Sequence, residues 1–174
     1  WRRPQQRVHP AKPKVGIRAS RPNEIWHVDT TLIRLLDGSR AYLHAVIDNF
    51  SRRILSWRVT DRCGAHNTVA VLLEASRSSS PAEDPPRVIA DGGGENVNGS
   101  VDELLKSGLL RRLIAMTDLN FSNSMIEAFW RSLKHSWLYL HSLDNFASLR
   151  RLIEFYVTTH NEVMPHSAFQ GQTP

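Results

Sequence analysis

Apolar positions in the first third of the chain follow the alternating pattern of β-strands. Residues 24–36 are rich in apolar and β-branched side chains and predict one strand, and residues 41–50 and 54–60 predict two more. Asp37 and Gly38 lie between the first two strands, and an Asp-Gly pair tolerates the positive φ that a tight hairpin turn requires. The pattern therefore predicts an antiparallel run of three strands.

Helical spacing takes over in the rest of the chain, interrupted by two short apolar segments. The first, residues 87–91, predicts a short buried strand, and the second, residues 111–116, predicts a fifth strand. The predicted helices cover residues 67–76, 101–106, 123 to about 141, and 143 to about 160, the last with Ser142 or Asp144 as its N-cap. This order of elements predicts an α/β fold in which a five-stranded mixed sheet is flanked by helices.

Length and composition are those of a single globular domain. The 174 residues are 41% hydrophobic and are enough to bury a substantial core. No run approaches the length of a membrane-spanning helix, and the N-terminus lacks the apolar stretch of a secretory signal. Cys63 is the one cysteine, which excludes an internal disulfide and is consistent with a reducing cytoplasm. The chain does not begin with methionine, so we expect a fragment of a longer protein.

Positive charge is concentrated at the N-terminus. Residues 1–22 contain seven arginines and lysines, four prolines and no acid, whereas the remaining residues contain 15 basic and 17 acidic groups. A segment of this composition cannot bury enough apolar surface to fold alone. The sequence predicts an extended arm over residues 1–22 and a core domain over residues 23–174. The arm is either a linker that binds nucleic-acid phosphates or a solvated linker between domains.

Three acidic residues stand in contexts that suggest a metal site. Asp29 lies in the middle of the first predicted strand, Asp91 follows a buried strand and precedes three glycines, and Glu127 lies on the second-to-last helix. Carboxylates that converge from two strands and a helix can hold two Mg²⁺ ions, and such a pair cleaves and rejoins phosphodiester bonds. Spacing alone does not identify them, because Asp118 and Glu154 have the same separation of 36 positions as Asp91 and Glu127.

Each of the three acids also has a structural explanation. Asp29 would face water if its strand were at the edge of the sheet, since a buried carboxylate without a partner is costly. Asp91 is a common type of turn residue before glycine. Glu127 would pair with Arg131, one turn further along an exposed helix face. Taken one at a time, the residues leave these alternatives open.

Five segments of the chain, taken in order, resemble a known family. They are residues 26–31, 46–53, 90–96, 123–134 and, in the last segment, 161–174. Together they make roughly residues 21–174 similar to the catalytic core of bacterial insertion-sequence transposases, relatives of the retroviral integrases. The resemblance implies a ribonuclease H-like fold, and the order of elements described above agrees with it.

The resemblance implies Mg²⁺-dependent DNA strand cleavage and strand transfer. Asp29, Asp91 and Glu127 would be both the catalytic and the metal-binding residues, holding two Mg²⁺ or Mn²⁺ ions, with Asp29 bridging them. The implied partners are double-stranded DNA, as transposon ends and as target, and further copies of the chain in a homodimer or higher multimer. The implied location is the bacterial cytoplasm, at the nucleoid. The alternatives are a nuclease of the same fold that does not join strands, and a non-catalytic DNA-binding remnant of a transposase.

Candidate DNA contacts lie around Glu127. Asn123, Glu127, Arg131 and Lys134 follow steps of four, four and three residues, which predicts one polar ridge on the helix. By the resemblance, Lys134 would contact a phosphate near the scissile bond, and Asn123 would orient Glu127 or touch DNA. Arg131 and Asn96 are further candidate contacts to DNA.

Two other groups of residues are predicted to have no catalytic part. Asp48 is expected to be structural and to bond to nearby backbone or to Arg52, although it lies in one of the matching segments. The eight histidines and Cys63 form no Cys/His zinc pattern.

Overall fold

Five strands form one mixed sheet at the centre of this computed structural model, which describes residues 17–78, 85–90, 111–114 and 123–174. The strands are β1 (Ile25–Arg34), β2 (Arg40–Asp48), β3 (Ile54–Thr60), β4 (Arg87–Ala90) and β5 (Arg111–Ile114). Their spatial order is β3-β2-β1-β4-β5. The first three are antiparallel, and β4 and β5 run parallel to β1. The predicted five-stranded mixed sheet is confirmed.

Helices cover both faces of this sheet. They are α1 (Ala65–Ser78), α2 (Ser124–Ser136) and α3 (Phe146–Glu162), with short 3₁₀ helices at Leu138–Leu140 and Ser167–Phe169. Helix α1 packs on one face against a cluster of buried apolar residues, and α2 and α3 pack on the other against a larger cluster. None of the helices among the described residues is long and apolar enough to cross a membrane.

The ends of two helices differ from the prediction. Helix α2 stops at Ser136 instead of continuing to about residue 141, because Trp137 leaves the helical conformation and its indole N–H donates to the carbonyl of Leu152 on α3. Helix α3 is capped by Asn145, whose side chain accepts from the backbone N–H of Ser148. The predicted caps, Ser142 and Asp144, were therefore wrong.

The hairpin between β1 and β2 has the predicted turn chemistry. Gly38 adopts a φ of 85°, and the carboxylate of Asp37 accepts from the backbone N–H and the hydroxyl of Ser39. Strand β3 has the predicted bounds, whereas β1 and β2 are shorter than predicted. The predicted helix over residues 101–106 lies outside the described residues.

Alternation along β1 decides which helix each of its side chains meets. Trp26 and Val28 belong to the apolar cluster on the α1 face, while Ile33 belongs to the cluster under α2 and α3. Because successive side chains of a strand point to opposite faces, the odd-numbered positions, including Asp29 and Thr31, face α2. Strand β1 is the middle strand of the five. The edge-strand explanation of Asp29 is therefore wrong.

Candidate active site between β1 and α2

Helix α2 is joined to β1 by side-chain hydrogen bonds at successive positions along both elements. The bonds run from Asn123 Nδ2 to the carbonyl of Val28 (3.2 Å), from Trp130 Nε1 to Asp29 Oδ2 (2.9 Å), and from Lys134 Nζ to Thr31 Oγ1 (2.6 Å). Both series advance toward the C-terminus. The helix therefore lies alongside the strand and runs in the same direction.

Glu127 shares the side of α2 that makes these bonds. At 3.6 residues per turn, positions 123, 127, 130 and 134 fall within about 60° of one another around the helix axis. Glu127 lies between Asn123, which reaches Val28, and Trp130, which reaches Asp29, and its side chain is exposed. Two of the three predicted acids are thus brought to one contact between a helix and the central strand.

The surroundings of Asp29 combine a neutral donor with a positive charge. The side chain is half-buried, and the indole N–H of Trp130 donates to Oδ2. Lys134 lies close by, with its ammonium donating to Thr31 Oγ1 and to the carbonyl of Leu32. Burial lowers the pKa of Lys134, and attraction to the carboxylate of Asp29 opposes that shift. The site therefore pairs a carboxylate with a partly desolvated cation.

Asp91 and Asn96 lie outside the described residues, but the strand before Asp91 is placed. Ala90, the residue before Asp91, pairs with Val28, the residue before Asp29. Strand β4 therefore ends beside Val28. Within residues 17–78, 85–90, 111–114 and 123–174, no group of three His, Cys, Asp or Glu side chains is arranged to hold a metal ion. The predicted triad includes a residue beyond those ranges.

The two described acids suit a hard divalent cation. Mg²⁺ and Mn²⁺ prefer oxygen ligands and take carboxylates readily. The indole N–H of Trp130 fixes the orientation of Asp29, as hydrogen-bonded partners commonly do for ligating carboxylates. Glu127 is exposed on the adjacent helix. The donor set therefore fits the expected ions.

Asn123 is not part of an exposed ridge. Its side chain is 6% exposed, its Oδ1 lies 2.7 Å from His27 Nδ1, and its Nδ2 donates to Val28. The predicted DNA contact by this side chain was wrong, because both of its polar atoms are bonded inside the protein. Asn123 instead fixes the start of α2 against β1.

His27 is a residue of this site that the sequence reasoning did not single out. Asn49 Nδ2 lies 2.9 Å from His27 Nε2, and because an amide nitrogen only donates, Nε2 must be the accepting nitrogen. The proton is therefore on Nδ1, which donates to Asn123 Oδ1. Burial is the largest cause that lowers the pKa of His27, which favours this neutral form. The available signal was its position two residues before Asp29, on the same face of β1.

The remaining candidates on α2 have different surroundings. Among the described residues the ion pairs join Arg53 to Glu162 and Arg87 to Glu24, so the alternative Glu127–Arg131 pair does not form. Arg131 is exposed, and Lys134 is half-buried against β1. Their contacts to DNA stay predictions.

Asp48 is structural, as predicted. It is 1% exposed and accepts from the backbone N–H groups of Asn23 (2.9 Å) and Ser51 (2.7 Å) and from the hydroxyl of Ser51 (2.7 Å). The bonds go to nearby backbone, which was one of the two expected arrangements. The described bond with Arg52 runs from its backbone N–H to the carbonyl of Asp48.

Comparison with known protein families gives matches along nearly the whole chain. A family model described as "Integrase core domain" matches residues 19–115, and a second model with the same description matches residues 121–174. The two matches include every candidate site residue.

Similar sequences come from bacterial insertion elements. The chain is 26% identical over 157 residues to the putative transposase InsK for insertion sequence element IS150 of Escherichia coli (strain K12), covering 90% of this chain and 55% of that protein. It is 26% identical over 176 residues to an uncharacterized protein of insertion element IS136 of Agrobacterium fabrum, covering 97% of this chain and 87% of that protein. The chain thus spans about half the length of InsK.

Similar solved structures are retroviral integrases, and at their level of identity they show the fold alone. The catalytic core domain of HTLV-2 integrase, in complex with magnesium, matches with a TM-score of 0.72 at 21% identity, covering 90% of this chain and 96% of that one. The catalytic core domain of BIV integrase matches with a TM-score of 0.62 at 13% identity, covering 87% and 91%. The predicted ribonuclease H-like fold class is confirmed.

Proposed function

We propose that this chain, which belongs to the integrase core domain family, is the catalytic core of a bacterial insertion-sequence transposase that cleaves DNA strands and joins them to target DNA. The observation that carries the proposal is the contact of α2 with β1, which brings Asp29 and the helix side of Glu127 together. The sequence similarity to InsK supports the choice of a transposase.

Asp29, Asp91 and Glu127 are the proposed ligands of two Mg²⁺ or Mn²⁺ ions. Integrase core domains generally use divalent metals, and the HTLV-2 integrase core was solved in complex with magnesium. Two such ions would stabilise the attacking and leaving oxygens of an in-line displacement at phosphorus. This assignment makes the three acids both the metal-binding and the catalytic residues, and it needs no covalent nucleophile from the protein.

The other residues of the site position the acids and attract the substrate. The indole N–H of Trp130 holds Oδ2 of Asp29, so this carboxylate keeps one orientation. The ammonium of Lys134, held by Thr31 and Leu32, supplies positive charge beside the carboxylate, where a DNA phosphate would approach. Arg131, exposed on the same helix, and Asn96 are further proposed DNA contacts.

Partners and domain organisation follow from the same proposal. The substrate is double-stranded DNA, as element ends and as target, and the active form is a homodimer or higher multimer in the bacterial cytoplasm. The HTLV-2 integrase core was solved in trimeric and dimeric forms. Residues 1–22 are proposed to be a basic arm that follows DNA phosphates, attached to the catalytic core over residues 23–174.

A strand-joining assay tests the proposal. Purified protein is given pre-cut duplex ends taken from the DNA that flanks its own coding sequence, a supercoiled target plasmid, and Mg²⁺ or Mn²⁺. We expect joined product from the native chain, and a loss of more than about 100-fold in Asp91→Asn and Glu127→Gln, since even outer-shell partners of metal ligands are worth 10- to 100-fold. Glu154→Gln is the matched control, because Glu154 is an exposed acid on α3.

The outcomes separate the candidate functions. Joined product that disappears in the two triad variants but not in the control supports a strand transferase. Cleaved ends without joined product would indicate a nuclease of the same fold, and DNA binding without either product would indicate a non-catalytic remnant. Joining that survives Glu127→Gln would remove Glu127 from the site.

A further inference from the structure

Arg52, in the turn between β2 and β3, is held in an unfavourable state. Its φ is 66°, in the left-handed region that residues with long side chains rarely adopt. Its guanidinium is half-buried. Burial, and then repulsion from Arg18, lower the pKa of Arg52, against the attraction of Asp48. Strain, desolvation and like-charge repulsion therefore all act on one residue.

Two neighbouring elements keep the turn in this conformation. The backbone N–H of Arg52 donates to the carbonyl of Asp48 (3.0 Å), and His160 Nε2 on α3 donates to the carbonyl of Arg52 (3.0 Å). The carboxylate of Asp48 also holds Ser51, the preceding residue. The side chain of Arg52 is thereby directed to the first turn of α2, where Nη1 contacts Met125 Sδ. The guanidinium therefore lies against the first turn of α2.

Asp48 attracts Arg52, but no carboxylate among the described residues forms an ion pair with it. Their ion pairs are Arg53–Glu162 and Arg87–Glu24, and Arg53 is the residue next to Arg52. The oxygens of Asp48 accept from Asn23 and Ser51. Thioether sulfur, as in Met125, is only a weak acceptor. Arg52 thus differs from the adjacent arginine in having a costly conformation and a weak partner.

Other basic groups surround the same point. Besides Arg18, His166 is a basic group near Arg52. The pKa of His166 is lowered first by burial, and then by repulsion from His160 and from Arg52. The guanidinium of Arg52 therefore lies near Arg18 and His166, with Asp48 as the opposing charge, beside the start of α2. A fixed and partly desolvated guanidinium is the form of arginine that binds phosphate most effectively, by paired N–H donors.

We propose that Arg52, with Arg18 beside it, binds a phosphate of the DNA backbone at the β2–β3 turn. This site rests on the proposed function, since it assumes that DNA lies along α2. Met125, which Arg52 contacts, and Lys134 are nine residues apart on α2, or about 13 Å along its axis. Glu127 lies between them. Nine residues at 3.6 per turn also place Met125 about half a turn around the helix from Lys134, so Arg52 and Lys134 would contact the DNA backbone at separate points on different sides of α2.

A salt titration of DNA affinity tests the site without any strand cleavage. A fluorescent duplex is titrated with protein in buffer containing a chelator, at a series of NaCl concentrations, for the native chain, Arg52→Gln and Arg53→Gln. For Arg52→Gln we expect about a fivefold loss of affinity and a salt slope that is smaller in magnitude by about one, as for one lost phosphate contact. Arg53→Gln removes the same charge from the adjacent position, where Glu162 pairs with it, and is expected to keep the native slope.

Arg52→Gly separates phosphate binding from folding. Glycine adopts positive φ without strain, so this variant should have a Tm equal to or higher than that of the native chain while losing DNA affinity as Arg52→Gln does. Native affinity and native slope in both Arg52 variants would overturn the site, and so would a lower Tm in Arg52→Gly that accompanies the loss of binding. If DNA affinity depends on Arg52 but the native chain joins no DNA, the phosphate site stands and the proposed strand transfer is rejected.

Discussion

Two aspartates on neighbouring strands are held in opposite ways. Asp48, at the end of β2, is 1% exposed, and its oxygens accept from Asn23 and from both the backbone and the hydroxyl of Ser51. Asp29, in the middle of β1, is half-buried, accepts from the indole of Trp130 and lies near the ammonium of Lys134. Both are in segments that resemble the same family, yet their surroundings are different.

The difference separates a carboxylate that holds the fold from one that is placed for chemistry. Asp48 accepts from Ser51 in its own turn and from Asn23, 25 positions earlier, so both of its oxygens are bonded within the protein. The donor and the cation near Asp29 come from α2, the helix that also carries Glu127. A carboxylate that is still reached by solvent, beside a cation and a second acid, is suited to bind a metal ion.

Asparagine in place of Asp29 should reduce strand joining but not stability, whereas asparagine in place of Asp48 should mainly reduce stability. The loss of strand joining in Asp29→Asn is the largest expected effect. Asp29→Asn should reduce strand joining by more than about 100-fold, because it removes a ligand charge. The free energy of unfolding of Asp29→Asn should stay within about 0.5 kcal/mol of the native value, because the amide oxygen still accepts from Trp130. Strand joining and urea unfolding measure the two quantities. Strand joining at the native level by Asp29→Asn would show that Asp29 is not placed for chemistry.

Asp48→Asn should lose stability. Its amide nitrogen would face the N–H or hydroxyl of Ser51, leaving a buried donor without an acceptor. We expect the free energy of unfolding to fall by about 2–3 kcal/mol, measured by urea denaturation. Joining by the molecules that remain folded should be much less affected than in Asp29→Asn. Unchanged stability would mean that these bonds do not hold the turn.

A titration of stability extends the comparison to His44, a buried residue of β2 on the face of the sheet opposite to Asp29. His44 pairs across the strands with Thr30, its ring nitrogens lie within hydrogen-bonding distance of Thr30 Oγ1 (2.8 Å) and Thr60 Oγ1 (3.1 Å), and it is 0% exposed. Burial, followed by repulsion from His66 and Arg58, lowers the pKa of His44 to about 4. Below its unfolded pKa of about 6.5, the unfolded chain binds a proton that the folded chain does not.

The sign of the effect follows from this difference. The contribution of neutral His44 is fully present above pH of about 6.5 and is lost as the pH falls toward 4. We expect about 2 kcal/mol less stability at pH 5 than at pH 7, measured by urea unfolding. His44→Gln should flatten this part of the profile. An equally steep profile in His44→Gln would assign the pH dependence to other groups.

The smallest expected effect concerns the indole that holds Asp29. Trp130→Phe keeps an aromatic ring in the core but removes the N–H that donates to Oδ2. Joining should fall by about tenfold, since the carboxylate loses its fixed orientation, and a higher metal concentration should restore part of it. Leu133→Met is a packing control on the same helix, because it changes a buried side chain without removing a hydrogen bond. Equal losses of strand joining in Trp130→Phe and Leu133→Met would mean that the loss reflects core packing and not the indole hydrogen bond.

Local chemistry and periodicity in the sequence predicted most of the fold. The alternation in β1 to β3, the Asp-Gly turn and the apolar recurrence in the helices correctly indicated the five strands and the three described helices. Helix ends were less well predicted, because they depend on tertiary contacts. Trp137, for example, ends α2 by bonding to Leu152, which is remote in sequence.

The acids of the site were indicated by their neighbours in sequence, but their supporting residues were not. Asn123 and Trp130 reach β1 across about 100 positions of sequence, and helical spacing had placed Asn123 on a polar ridge. His27 bonds to Asn49 and Asn123, which belong to two further segments. Such contacts follow from the docking of α2 on the sheet, which no local pattern encodes.

A crystal structure of the chain soaked with Mn²⁺ tests the central claim most directly. We expect anomalous signal from metal bound to the carboxylates of Asp29, Asp91 and Glu127, with Trp130 still donating to Asp29. Two ions should lie about 4 Å apart. The opposite result is a structure without bound metal in which the carboxylate oxygens of Asp29 and Glu127 are more than about 10 Å apart, too far to share such a pair.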